Sequence, residues 1–520
     1  MADAAAAGSA PSANLWRAWR YWLPPALFAL TLTLVFIDPF AGDWDALDYT
    51  VLALEGRPSS MLLGRMLFIF TNHALWRIAH ALFGLQPEQA YLLFKYAVVV
   101  QTPLAVVACW TLARELTASV RAATAAALLL ALSPFFIIYG GQAMTEIPSL
   151  LLLSVALTIH LRGVRRRSSW LVLLGAALLG LGVNLREAAA LYGPWLLVAP
   201  LAFGWKIRAR EVALTALACA LFFACALGPF AYWFLFDVWD YRAWWYGWLE
   251  STRMESATHP VTLGNFRTLL LWFFLASPLV LLALPLAAFK EWKERGLSPL
   301  LAMAAVGLFS NLMLITHYST VINGRYLLTG LPGLVPLVAD YLMRYETRRT
   351  GSERRALRNI VGVVLFVAIV TGTLMYRVAW TTLKSHGLVK DYRERLALLP
   401  RDAVVMAGGQ TVAVTFWRGV GAGRWEVIGT GGGWPGERLV EVIEGYLREG
   451  RRVFIDADPL VWSPRGWQLE ETRAVARLES RFRFRRVSET IYEIRPPDDP
   501  AARDAPNLQR LLPENRPKKQ

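Results

Sequence analysis

The chain is poor in cysteine and in charge, and its first apolar run lacks the marks of a cleavable leader. Each shortage closes off a class of protein. Only Cys109, Cys219 and Cys225 occur in 520 residues, all in apolar runs, and none lies beyond Met375. Their spacing fits no thiolate metal site, and an exported C-terminal region would carry no disulfide, so they read as small core residues. Charged residues make up 18% of the chain against 55% hydrophobic, with 22 Trp. The mean hydropathy is +0.38. A soluble fold of this length is not built from that composition. The first apolar run follows a 20-residue polar and Ala-rich tail, and no small-x-small cleavage site comes after it. It therefore reads as a membrane span rather than a signal peptide.

What is present is a series of eleven apolar segments: Tyr21–Ile37, Tyr91–Ala113, Ala122–Ile138, Thr145–Leu161, Trp170–Val183, Ala188–Trp205, Val212–Phe236, Leu269–Phe289, Leu297–Ile315, Tyr326–Met343 and Ile360–Met375. Most approach the roughly 20 residues that cross a bilayer. With the N-terminus in the cytoplasm, the inner loops collect twenty Lys and Arg against eight in the outer loops, which the positive-inside rule favours. Met61–Phe83 is apolar enough to pass for a twelfth span. Its Arg65, Asn72, His73, Arg77 and His80 share an arc of about 140°, however, so it reads as amphipathic helix on the outer surface. The net charge of +15 is thus mostly an inner-face feature beside anionic lipid, and nucleic acid is not an expected partner.

The expected organisation is a cytoplasmic tail (1–20), a transmembrane domain (21–376) whose outer loop spans 38–90, a small soluble α/β domain (385–495) outside the membrane, and a Pro-rich, charged, disordered tail (496–520). The α/β reading rests on strand-like Ala403–Ala407, Glu426–Ile428, Arg452–Ile455 and Thr490–Ile494, alternating with helical patterns near Asp391–Leu399, Glu437–Glu449 and Glu470–Arg481. Gly429–Gly433 lacks the Lys-Ser/Thr of a phosphate loop and reads as a plain loop. Asp456-Ala-Asp458-Pro459 is either a cation site or, the better reading, a strand-ending turn.

Four polar constellations fall on the outer side. They are Asp43-Trp-Asp45-Ala-Leu-Asp48-Tyr49 after the first span, Tyr139–Pro148 with Glu146, Asn184-Leu-Arg186-Glu187, and His317-Tyr318 with Asn323-Gly-Arg325-Tyr326. Carboxylates at helix ends can act as a general base or hold a cation, and arginines at the same depth can grip a phosphate with paired hydrogen bonds. Together they suit transfer of a group from a lipid-linked phosphate to a hydroxyl. Bland readings stand beside these: solvated or capping acids at Asp43 and Asp48, a dipole-stabilised Glu146, a local Arg186–Glu187 ion pair, snorkelling Lys95 and Arg325, and a membrane-edge His317. Trp44, Trp239, Trp244, Trp245 and Trp248 fit sugar stacking or an interfacial belt equally well.

At these residues the chain resembles the GT-C membrane glycosyltransferases, especially the protein O-mannosyltransferase and aminoarabinose transferase branch. Asp45-Ala-Leu-Asp-Tyr49 is similar to that branch's Asp-Glu-x-x-Tyr, and Gly56-Arg57-Pro58 to the stretch that follows it. Met144-Thr-Glu-Ile-Pro148 looks like its second acidic loop, and Arg325-Tyr-Leu-Leu-Thr-Gly-Leu-Pro332 like its Arg-Tyr-Leu-Leu segment. Ala46 departs from the family's Glu, so a paired-acid site would need Asp43 or Asp48. The resemblance implies Asp45 as base and Glu146 as second acid. It implies that Arg186, Arg325 and Lys95 grip a polyprenyl-phosphate-linked sugar, with Asp43, Asp48, Tyr49, Arg57 and His317 in support. The acceptor would be a protein, lipid or glycan hydroxyl. No cofactor is certain, and a divalent metal on Asp43, Asp45 and Glu146 is left open. The rivals are a transporter or flippase of lipid-linked sugars, against which there is no internal repeat, and a membrane scaffold with an extracytoplasmic binding domain.

Overall fold

The computed structural model describes residues 18–37, 44–59, 62–243, 245–247, 249, 253, 263–317, 324–428, 436–462 and 468–515. Its larger part is helical. In chain order the helices are α1 (Trp19–Val35), α2 (Trp44–Glu55), α3 (Met66–Phe83), α4 (Ala90–Thr117), α5 (Val120–Ala131), α6 (Pro134–Gly140), α7 (Glu146–Arg166), α8 (Ser169–Val183), α9 (Trp195–Ala202), α10 (Ala209–Leu235), α11 (Leu263–Ala276), α12 (Pro278–Arg295), α13 (Pro299–His317), α14 (Leu331–Thr350) and α15 (Glu353–Ala397). Among the described residues, four helices are long and apolar enough to cross a membrane, or six if each of two bent pairs counts as one span.

Several expected spans are broken, and proline is the reason. Ala122–Ile138 divides into α5 and α6, bent by 67°, and Leu269–Phe289 into α11 and α12, bent by 103°. Pro134 and Pro278 open the second helix of each pair. Proline lacks the N–H that would continue the preceding helix, yet it is at home in a first turn. Ala188–Trp205 likewise resolves into a 3-10 turn, Glu187–Tyr192, and the eight-residue α9 after Gly193-Pro194. Elsewhere small residues allow close packing. A Cβ on Gly175 of α8 would lie 2.5 Å from the His160 backbone of α7.

α15 runs for 45 residues without proline, far more than a bilayer needs, and its end enters the C-terminal domain. There Tyr392, Leu396 and Leu399 share a core with β1 (Val404–Met406) and β3 (Val453–Asp456). The five-stranded sheet has the order β2-β1-β3-β5-β4, with β2 at Glu426–Val427, β4 at Arg483–Arg486 and β5 at Ile491–Arg495. β1, β2 and β3 are parallel, whereas β5 is antiparallel to β3 and β4. The connecting helices are α16 (Thr411–Gly419), α17 (Gly436–Arg448) and α18 (Gln468–Ala476). Beyond residue 495, where composition points to disorder, Leu508 and Leu511 are fully buried in this core and Asp504 bridges to Phe484. Two leucines at i and i+3 suffice to dock a polar segment.

The acidic segment after the first apolar run is helical, and it joins the two parts. On α2, Ala46, Tyr49, Leu52 and Ala53 belong to the transmembrane core, while Leu47 and Val51 belong to the core of the α/β domain. The 3.6-residue repeat separates these sets onto two faces of one helix. A Cβ on Gly419 of α16 would lie 2.7 Å from a Val51 methyl, so the domain closes directly on α2.

Candidate active site

Asp45 sits in the first turn of α2 and Glu146 opens α7. Both carboxylates therefore face the positive end of a helix dipole. Three arginines from irregular segments meet them. Arg325, in the 3-10 turn Gly324–Thr329, donates from Nη2 to Asp45 Oδ2 at 2.9 Å, and its Nε lies 3.6 Å from Glu146 Oε1. Arg186, just before the 3-10 turn Glu187–Tyr192, pairs with the same Glu146 oxygen. Arg65, at the end of the 3-10 turn Leu62–Arg65, donates from Nη2 and Nε to Glu187 at 3.0 and 3.3 Å, and its Nη1 lies 3.8 Å from Asp45 Oδ2.

Three guanidiniums thus balance three carboxylates at a site held by five separate segments. The Arg186 and Arg325 guanidiniums each lie 5.3 Å from the centre of the Tyr326 ring, and Arg65 lies 5.3 Å from that of Tyr49. These are attractive cation–π distances. Among the described residues Glu146 Oε2 is buried and has no hydrogen-bond partner. Buried polar atoms are nearly always paired, so an orphan acceptor beside arginines marks room for a donor from a ligand.

Burial pulls the Asp45 pKa upward, but the charges of Arg325 and Arg65 more than offset it, and the carboxyl is held below its ordinary value. One turn along, Asp48 behaves oppositely. Burial and the neighbouring Asp45 push it up to about 7, against the pull of Arg65. Glu187 is disfavoured as an anion by burial, yet its bonds to Arg65 bring it below the ordinary range.

Of the residues singled out from sequence, Asp45, Glu146, Arg186 and Arg325 converge. The local Arg186–Glu187 pair does not form as such: Arg186 turns to Glu146, while Glu187 takes Arg65 from 122 residues away. Tyr49 is buried edge-on against Phe68, with ring centres 5.6 Å apart. Lys95 is buried on α4, which packs against α2 and α7. Arg57 is half-exposed and pairs with Glu55 at 3.4 Å. Asp43 lies outside the described residues, as do Trp244, Trp248 and the side chains of Trp44, Trp239 and His317. Trp245 packs in an aromatic cluster with Phe230, Phe234 and Tyr246. In the sequence Arg65 belongs to the amphipathic arc, and Glu187 and Tyr326 to the outer constellations, with no site role for any of the three. An arginine inside an amphipathic arc looks like a surface charge, and only the tertiary fold turns it inward.

Ala46, where the family has Glu, is wholly buried in the transmembrane core. Among the described residues no group of three or more His, Cys, Asp or Glu is placed to hold a metal ion. Asp45 and Glu146 are both charge-compensated by arginine, and a balanced donor set fits a divalent cation poorly. In the α/β domain, Arg395 from the end of α15 spans Asp456 and Asp458, at 2.8 Å to each, and their other oxygens accept the Asp458 and Leu460 backbone N–H. That arrangement is a turn with a clamp. Gly429–Gly433 lies outside the described residues.

Residues 70–248 match the family model described as dolichyl-phosphate-mannose-protein mannosyltransferase. No curated protein matches the chain. Among solved structures, ArnT from Cupriavidus metallidurans, solved with bound undecaprenyl phosphate, is similar at a TM-score of 0.56 and 12% identity, over 92% of this chain and 98% of that one. The oligosaccharyltransferase AglB from Archaeoglobus fulgidus, in complex with an inhibitory peptide and a dolichol-phosphate, is similar at 0.53 and 13% identity, over 86% of this chain and 70% of that one. The chain therefore has the fold of the GT-C membrane glycosyltransferases, and the resemblance read from its motifs is supported by both kinds of match.

Proposed function

We propose that this protein is a membrane glycosyltransferase. It moves a sugar from a polyprenyl-phosphate donor to an acceptor hydroxyl on the extracytoplasmic face of a cytoplasmic membrane. The observation that carries this reading is the meeting of Asp45 and Glu146 with Arg186 and Arg325, next to an unspent carboxylate oxygen. The topology that goes with it has eleven spans, a cytoplasmic N-terminus and an external α/β domain.

In the reaction Asp45 takes the proton of the acceptor hydroxyl as the acceptor oxygen forms its bond to the sugar's anomeric carbon. The bond from that carbon to the phosphate oxygen breaks on the opposite face, so configuration inverts. The electron pair leaves on the polyprenyl phosphate, whose charge Arg325, Arg186 and Lys95 stabilise. Arg325 must loosen its hold on Asp45 to do so, which releases the base as the donor arrives. Glu146 orients the acceptor through Oε2. A flippase would need ionisable groups near the bilayer midplane, whereas these lie at helix ends.

The test is Asp45→Asn in the purified full-length protein. Transfer from undecaprenyl-phosphate mannose and related sugar lipids should be lost while undecaprenyl phosphate still binds. Full transfer by this variant would sink the mechanism.

A further inference from the structure

Arg65 occupies a backbone conformation that non-glycine residues seldom adopt. It is left-handed, with φ 45° and ψ 37°, in a short turn where Leu63 also has a positive φ of 57°. Non-glycine residues are held there when the surroundings over-determine them, most often at functional sites. Two fixtures hold this turn. Leu67 N–H donates to the Asn184 carbonyl at 3.1 Å, and the Arg65 guanidinium makes a forked bond to Glu187. The side chain is 5% exposed, and its guanidinium lies over Tyr49 and presents its remaining nitrogen to Asp45.

The other charged groups facing Asp45 are Asp48 on α2, Arg325 and Arg186 from the 3-10 segments, and Glu146, reached across Arg325. In the proposed reaction Arg325 and Arg186 turn to the donor phosphate. Arg65 cannot follow them, because Glu187 holds it by two bonds. It is the cation that stays with Asp45 throughout. We propose that Arg65 is a positioning residue for the base: anchored by Glu187, it keeps the Asp45 carboxylate ionised and in place while the other arginines serve the phosphate. This rests on the proposed role of Asp45.

The test uses full-length protein in lipid nanodiscs, ¹³C-labelled at aspartate. Infrared titration follows the protonated-carboxyl band, and subtraction of the Asp45→Asn spectrum assigns Asp45. Removing a nearby positive charge disfavours the ionised form. In Arg65→Gln the Asp45 midpoint should therefore rise by about one pH unit or more, and Arg65→Lys should restore most of that shift. Undecaprenyl phosphate, used as the phosphate probe, should bind Arg65→Gln within about tenfold of wild type. Arg65→Met keeps the stem of the side chain without its charge and should move the midpoint the same way, which keeps the test open if Arg65→Gln fails to fold. An unmoved midpoint in Arg65→Gln, or in Arg65→Met where Arg65→Gln does not fold, overturns the proposal. So does a loss of undecaprenyl phosphate affinity beyond about tenfold in Arg65→Gln, which would make Arg65 a phosphate ligand instead. Active Asp45→Asn defeats the functional reading. Inactive Asp45→Asn with an unmoved Arg65→Gln midpoint defeats this inference alone.

Discussion

The helical part and the α/β domain each hold an arginine–carboxylate cluster, and the two are built to different ends. In the α/β domain, Arg395 spans Asp456 and Asp458, and every oxygen of both carboxylates is spent on the guanidinium or on turn N–H groups. In the larger helical part, in the cluster proposed to face outward, three arginines share three carboxylates, and Glu146 Oε2 has no partner among the described residues. A saturated cluster clamps; one with an unspent acceptor has something left to bind. The saturated cluster also lies at the carboxyl ends of the parallel strands, where α/β domains commonly take ligands. The tip of α15 fills that place, so the domain is fastened to the membrane part, and the domain-as-binder reading loses ground.

The contrast can be broken at several points. The largest effect expected is at the outer cluster. Glu146→Gln should cut transfer by about 10²-fold or more while leaving undecaprenyl phosphate affinity near wild type, as loss of an acceptor-orienting acid would. Arg325→Gln should act on both terms, weakening undecaprenyl phosphate binding by about tenfold or more in a direct binding measurement. Arg395→Gln belongs to the other cluster. It leaves Asp456 buried beside Asp458 without its cation and should cost about 2–4 kcal/mol of stability, read as a lower Tm. The protein that remains folded should turn over normally.

The smallest effect is at Asp48. Its folded pKa is raised, so the folded state keeps a proton that the unfolded chain releases above its ordinary carboxylate value. Stability is therefore lost as pH rises from about 4 to about 7, and the cost is full above that. Asp48→Asn should raise the Tm at pH 8 by a few degrees and change little below pH 4.

Much of this contrast was legible in the residues. Asp45, Glu146, Arg186 and Arg325 carry the motif spacing, and their side chains meet in the structure. The strand runs at Ala403–Ala407 and Arg452–Ile455 coincide with β1 and β3, because short β-branched runs between turn residues have few other uses. What escaped was tertiary. Arg65 turns inward to Glu187 from a left-handed turn that nothing in its sequence marks. Pro134 and Pro278 break spans that hydropathy joins. α2 hides two apolar faces inside what composition presents as an acidic loop. Leu508 and Leu511 pin a segment whose proline and charge content resembles a disordered tail.

The most direct measurement sets the two clusters side by side. Sugar transfer per folded molecule from polyprenyl-phosphate donors is compared for Asp45→Asn and Arg395→Gln in the purified full-length protein. Asp45→Asn should be folded, should bind undecaprenyl phosphate and should form no product, while Arg395→Gln should be less stable and retain turnover. Wild-type transfer by Asp45→Asn, or loss of turnover confined to Arg395→Gln, would contradict the assignment of catalysis to the outer cluster.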